Sequence, residues 1–270
     1  MALVAPPTSL LPLVAGIATV VAGLVLAGCS TPLQPRSAAD KATAPKVGAC
    51  YRLTPEDTGR SSSGSAPVAC SSPHTAQTFA IGTLPRSTGT SYDAAEHGRW
   101  LYPRCEAAFE KLLAVDESMA LRIRLSWAWF RPTERGWAKG ARWYRCDLVG
   151  GTAESTSYRE LPAKVQGLFA AKPPEEWLTC AQGATVLRAT KVACSEPHDW
   201  RAVTTIKLGA PSDPYPGDRL VQVRTRDFCS DSVGAWMNYP VDYEFGYTFF
   251  HEAEWKAGVR RSVCWSRTDQ

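Results

Sequence analysis

Eight cysteines in two matched sets of four restrict this chain to a fold that is stapled twice over. The sets are Cys50, Cys70, Cys105 and Cys146, then Cys180, Cys194, Cys229 and Cys264. The interval from Cys70 to Cys105 equals that from Cys194 to Cys229. The string Val68-Ala69-Cys70-Ser71-Ser72-Pro73-His74 returns as Val192-Ala193-Cys194-Ser195-Glu196-Pro197-His198. Trp137-x-x-Gly140-x-Arg142-x-x-x-Cys146 returns as Trp255-x-x-Gly258-x-Arg260-x-x-x-Cys264. Matches in the same order define a tandem duplication, with repeat 1 over residues 47–150, a linker over 151–176 and repeat 2 over 177–270. No pair has Cys-x-x-Cys spacing, which argues against a zinc site or a thioredoxin-like centre and for structural disulfides. Four cysteines per repeat allow three pairings. The expected one is sequential, Cys180 with Cys194 closing a hairpin and Cys229 with Cys264 tying a helix to the last strand.

The ninth cysteine, Cys29, bears on the compartment. Residues 1–28 contain no Lys, Arg, Asp or Glu, and from Leu10 to Gly28 the segment is almost wholly apolar. That length fits a signal-peptide core or a single membrane-spanning helix. A retained anchor usually ends in a charged flank, whereas Leu26-Ala27-Gly28-Cys29 runs into Ser30, Thr31 and Pro32. The string resembles a bacterial lipobox. The resemblance implies a lipoprotein signal peptide over 1–28, cleavage before Cys29, a diacylglycerol thioether on Cys29 and an acylated, palmitate-type N-terminus. Two or more acyl chains suffice for stable anchoring. The expectation is a protein lipid-anchored at the extracytoplasmic face of the cell membrane; an uncleaved signal anchor is the alternative. Residues 29–46, rich in Ser, Thr, Pro and Ala, have little to bury and read as a flexible tether. The net charge of +4 is too small to indicate nucleic-acid binding, which an exported protein does not need.

Periodicity gives the two repeats one plan. Val-Ala-Cys strands end at Cys70 and Cys194, broken by the proline that follows. A helix then carries the third cysteine: after Pro103, taken as a first helical position, Cys105, Ala108, Phe109, Leu112 and Leu113 share a face, as do Val221, Thr225, Phe228, Cys229, Val233 and Trp236 in repeat 2. Alternation next predicts a strand with Leu121, Ile123, Leu125, Trp127 and Trp129 on one side and Arg122 and Arg124 on the other. Its counterpart alternates Tyr243, Phe245, Tyr247 and Phe249. A last strand holds the fourth cysteine. Leu161 to Phe169, within the linker, reads as a short helix. The plan is α+β: two tandem disulfide-stapled repeats, each a small antiparallel sheet with one solvated face, packed with a helix.

Gly48-x-Cys50, Val-x-Cys-Ser-x-Pro-His, a helical cysteine and Trp-x-x-Gly-x-Arg before a final cysteine together resemble the septum-formation domain of actinobacterial envelope proteins. Both repeats share the resemblance; in repeat 2 the opening is Trp177-Leu178-Thr179-Cys180. The resemblance implies an envelope role connected with septation, and it brings no catalytic residues with it.

Several residues invite a functional reading. His74 and His198 are duplicated and could bind metal or act as bases, but each repeat supplies only one, and a turn histidine bonded to backbone is the simpler expectation. His251 lacks the second histidine of the zinc-protease pattern. Ser71 and Ser195 precede the histidines without the third group that a hydrolase requires. No cofactor, metal or catalytic residue is therefore expected. An exported enzyme acting on cell-wall polymer through His74 or His198 is the alternative. Between residues 122 and 145 seven basic side chains face the single acid Glu134. If Cys146 points inward, Trp143 and Arg145 point outward beside Arg122 and Arg124, forming a surface for an anionic envelope polymer, lipid headgroups or an acidic division protein. The functional expectation is a non-enzymatic binding or scaffolding module.

Overall fold

The computed structural model describes residues 45–268; the leader, Cys29 and most of the tether lie outside the described residues. Repeat 1 comprises β1 (Cys50–Tyr51), α1 (Pro55–Thr58), β2 (Ala76–Thr83), α2 (Ala95–Leu113), α3 (Glu117–Ala120), β3 (Ser126–Phe130), α4 (Glu134–Ala138) and β4 (Trp143–Val149). Repeat 2 comprises β5 (Thr179–Gln182), β6 (Thr190–Ala193), β7 (Trp200–Lys207), α5 (Asp218–Trp236), β8 (Phe245–Thr248), α6 (Glu252–Lys256) and β9 (Arg261–Arg267). The sheets are antiparallel and run β1-β2-β4-β3 and β6-β5-β7-β9-β8. Thus β5, β7, β9 and β8 stand where β1, β2, β4 and β3 stand, and a lone bridge between Cys50 and Val68 replaces β6. Register slips also coincide, between Thr78 and Ala80 in one sheet and Ala202 and Thr204 in the other. The fold class is α+β.

Disulfides join Cys50 to Cys70, Cys105 to Cys146, Cys180 to Cys194 and Cys229 to Cys264. In each repeat one bridge pins the first strand to the turn before the histidine, and the other pins the long helix to the last strand. His97, Leu101, Cys105, Phe109 and Leu113 recur every four residues along α2 and are buried. Pro103 lies inside this helix rather than at its start. An interior proline costs about 3 kcal/mol, whereas burying a side chain such as Leu101 returns roughly 1.5–3 kcal/mol. Leu101 and His97, both N-terminal to Pro103 and fully buried, thus hold the first turns helical.

Two further expectations are corrected. The strand predicted from Leu121 begins only at Ser126, because residues 122–124 pair with repeat 2. Ile123 bridges Leu178, the Thr179 amide donates to Arg122 O over 2.9 Å and the Arg124 amide to Trp177 O over 2.8 Å. The alternation is real, but its partner is the other repeat. Leu161 to Phe169 form turns, not a helix. Gly167 at φ +69° sits in the left-handed region that ends a right-handed helix. Leu161, Val165 and Phe169 nevertheless join Phe109, Leu113, Ile123, Leu125, Leu148, Trp177 and Leu178 in one core cluster. The repeats therefore share a core through the segment read as a linker. Nor is either sheet solvated on its second face. Tyr51, Phe130 and Val149 are buried there in repeat 1 and Trp200 and Trp265 in repeat 2, with Tyr158 and Val186 folded over them.

Candidate functional site

The duplicated motifs are local braces. In each Ser-x-Pro-His turn the histidine Nδ1 donates to the carbonyl two residues back, His74 to Ser72 O over 2.9 Å and His198 to Glu196 O over 2.8 Å. Both rings are buried, and each Nε2 has no hydrogen-bond partner among the described residues. In each Trp-x-x-Gly-x-Arg string the guanidinium stacks on the indole, 3.9 Å above the Trp137 ring for Arg142 and 3.7 Å above Trp255 for Arg260. The same arginine donates to that tryptophan's carbonyl, over 2.8 and 2.6 Å. Gly140 and Gly258, at φ +92° and +104°, make the turn that brings arginine back over tryptophan.

The proposed surface of Arg122, Arg124, Trp143 and Arg145 is not formed. Arg145 is only 3% exposed. Its guanidinium lies 4.1 Å from the Tyr51 ring and 4.8 Å from Phe130, and its Nε is 3.0 Å from Asp147 Oδ2. Cys146 does point the other way, so the parity argument holds, but the opposite face is covered. Trp143 Nε1 is buried without an acceptor among the described residues. Asp147, fully buried, also accepts from Thr78 Oγ1 over 2.6 Å. Burial pushes its pKa up to about 6, outweighing the downward pull of Arg145 and of the Thr78 bond. The sister positions in β9 are Val263 and Trp265, so this fold does not require a charge pair there. Arg122 is spent on the repeat junction, donating from Nη1 to Val203 O over 2.8 Å and from Nε to Ser118 O over 3.1 Å.

Arg124 lines an open cavity. Three cavities share Tyr158 as a wall, and its hydroxyl is held 2.6 Å from Thr58 Oγ1. The first, about 450 Å³, lies between Arg52–Pro55 and Thr156–Glu160, with His74 in its wall. The second, about 590 Å³, runs along the edge strand β3 beside Arg60 and Ser61. The third, about 320 Å³, is lined by Arg124, Ser157, Arg159 and Trp177. These volumes suit a small ligand or a short stretch of polymer. The Arg124 side chain makes no direct hydrogen bond or ion pair among the described residues, whereas Arg159 pairs with Glu196 over 2.7 Å. Burial lowers the Arg124 pKa, partly opposed by Glu196 and reinforced by Arg159, yet an arginine stays cationic at neutral pH. Tyr158 carries no motif, and only its place in a Ser/Thr-rich connector hinted at a surface role.

Among the described residues no group of three or more His, Cys, Asp or Glu side chains is placed to hold a metal, and no helix is long and apolar enough to cross a membrane. Four disulfides mark an extracytoplasmic protein. The architecture is that of a duplicated, disulfide-stapled α+β envelope module. The chain matches the family described as Septum formation over residues 30–130 and again over 119–264, and it belongs to that family. The description ties it to a division-related role in the envelope. No curated protein and no solved structure is significantly similar to it.

Proposed function

We propose that this chain is a non-enzymatic, lipid-anchored binding module that holds an anionic envelope polymer in the Tyr158 cleft during septum formation. The observation that carries the reading is Arg124, a cation without a side-chain partner among the described residues, set beside Arg159 and Trp177 in a 320 Å³ cavity. A half-buried cation that makes no direct ion pair gains from an anionic ligand, and the more distant Glu196 and Glu154 offset only part of the burial penalty on Arg124. Non-enzymatic action is supported by the motif histidines, whose Nδ1 atoms are committed to backbone carbonyls and which have no carboxylate or nucleophile hydrogen-bonded to the ring. Lipid anchoring is supported by Leu26-Ala27-Gly28-Cys29.

Retention of the mature protein on purified cell wall tests the cleft. Arg124→Gln should cut retention at least five-fold with an unchanged melting temperature. Equal retention would remove the polymer from the proposal, and capture of a division protein in its place would reassign the cleft. Globomycin, which blocks lipoprotein signal cleavage, should make the precursor accumulate; an unaffected precursor would overturn the anchor.

A further inference from the structure

Repeat 2 ends in an apolar face whose counterpart in repeat 1 is covered. Counting from Cys105 and Cys229, Leu112 and Leu113 at the end of α2 correspond to Trp236 and Met237 at the end of α5. Counting back from Trp129 and Tyr247, which pair with Cys146 and Cys264, Ile123 corresponds to Val241. In repeat 1 the segment 161–178 closes this end. Its Leu161, Val165 and Phe169 pack on Leu113 and Ile123. Its amides cap the helix, Gly167 donating to Leu112 O over 2.7 Å and Phe169 to Leu113 O over 3.0 Å. Leu178 then bridges Ile123.

Among the described residues no segment covers this end of repeat 2. Trp236 is 51% exposed, Tyr239 68% and Val241 100%, against 2% for Ile123. Among the described residues no backbone amide donates to the carbonyls of Trp236 and Met237, and Pro240 has no N–H to offer. Asn238 and Tyr239 both lie in the left-handed region, at φ +63° and +49°, a conformation that disfavours non-glycine residues. This turn holds Tyr239 outward.

We infer that this face is a docking site for an extended segment of another protein, one that completes repeat 2 as residues 161–178 complete repeat 1. The segment carries apolar side chains four residues apart, supplies amides to the end of α5 and pairs as a short strand with Val241. Exposed Asp231 and Asp242 lie at either end of the stretch that forms the face, so a strongly acidic segment is disfavoured. Asp242 stands where repeat 1 has Arg124, which separates this site chemically from the Tyr158 cleft. A second copy of the chain cannot supply the segment, because its own residues 161–178 are engaged.

The test uses the full-length mature protein and a fluorescein-labelled peptide with the sequence of residues 159–178. Saturable binding is expected, at least ten-fold weaker with Val241→Asp, a change at a fully exposed position that leaves the fold intact. Arg124→Gln should bind the peptide as wild type does, so failure here and failure of the cleft reading are distinguishable. A peptide with Leu161, Val165 and Phe169 replaced by serine should not bind. Absence of saturable binding, or equal affinity in Val241→Asp, would overturn the inference. So would a concentration-dependent dimer lost in Val241→Asp, or binding to phosphatidylglycerol vesicles lost in that variant, when the peptide does not bind; these would give the face to a second copy or to the membrane.

Discussion

A histidine whose Nδ1 donates to a carbonyl two residues back fixes a turn, and that nitrogen is committed to the bond. His74→Ala or His198→Ala should therefore lower stability by about 1–3 kcal/mol, read as a lower melting temperature. Repetition of the residue in sequence was visible, and so was its turn; burial of the ring follows from packing between β1 and the residue 156–161 segment, which a string of letters does not display. Arg145 shows the same limit. Its parity with Trp143 and Asp147 was legible, but parity assigns a face and not what covers it. The buried Asp147 has a measurable consequence. Its folded-state pKa, about 6, exceeds the ordinary 3.8, so the folded protein takes up a proton that the unfolded chain does not. The stabilising contribution is full below 3.8 and lost as pH rises through 6. Denaturant titrations across that window should show wild type losing stability on the order of 3 kcal/mol relative to Asp147→Asn. Parallel curves for the two proteins would mean that Asp147 is ionised throughout.

Among the elements, the four bridges differ in exposure. Cys105, Cys146, Cys229 and Cys264 are fully buried, whereas Cys70 is partly exposed. Graded reduction followed by alkylation and mass spectrometry should label Cys50 and Cys70 before either helix-to-strand bridge. On the chain-entropy account each bridge stabilises by roughly 3–4 kcal/mol, so loss of Cys105–Cys146 should unfold the protein while loss of Cys50–Cys70 loosens only the start of repeat 1. Helix α2 is legible from its four-residue spacing, but its start is not, because Pro103 fits a first helical turn as well as the interior position it holds. The 161–169 segment has the same spacing and no helix. Its apolar side chains answer to the end of α2 and not to a groove of their own, and Gly167 interrupts the backbone.

At the scale of the molecule, duplication read from the cysteines carries over for four strands of each sheet, register slips included, with β6 reduced to a single bridge in repeat 1. What the duplication concealed is that the halves are not independent. A core runs from Phe109 through Phe169 to Leu178, reinforced across the junction by Lys207–Glu117 and Arg261–Glu117 at 3.0 and 3.1 Å. Symmetric repeats advertise what they share, and the segment that joins them appears in sequence once, without a counterpart to expose its role. Phe169→Ala should cost about 3–5 kcal/mol and lower one cooperative calorimetric transition that includes both repeats. Two separate transitions in wild type would contradict the shared core.

The division of labour between motif and cleft is open to a single paired measurement: melting temperature and cell-wall retention of His198→Ala and Arg124→Gln beside wild type. His198→Ala should melt lower, with its folded fraction retained as well as wild type. Arg124→Gln should melt as wild type does and lose its retention. A His198→Ala protein that melts normally but no longer binds, with Arg124→Gln binding undiminished, would contradict the account.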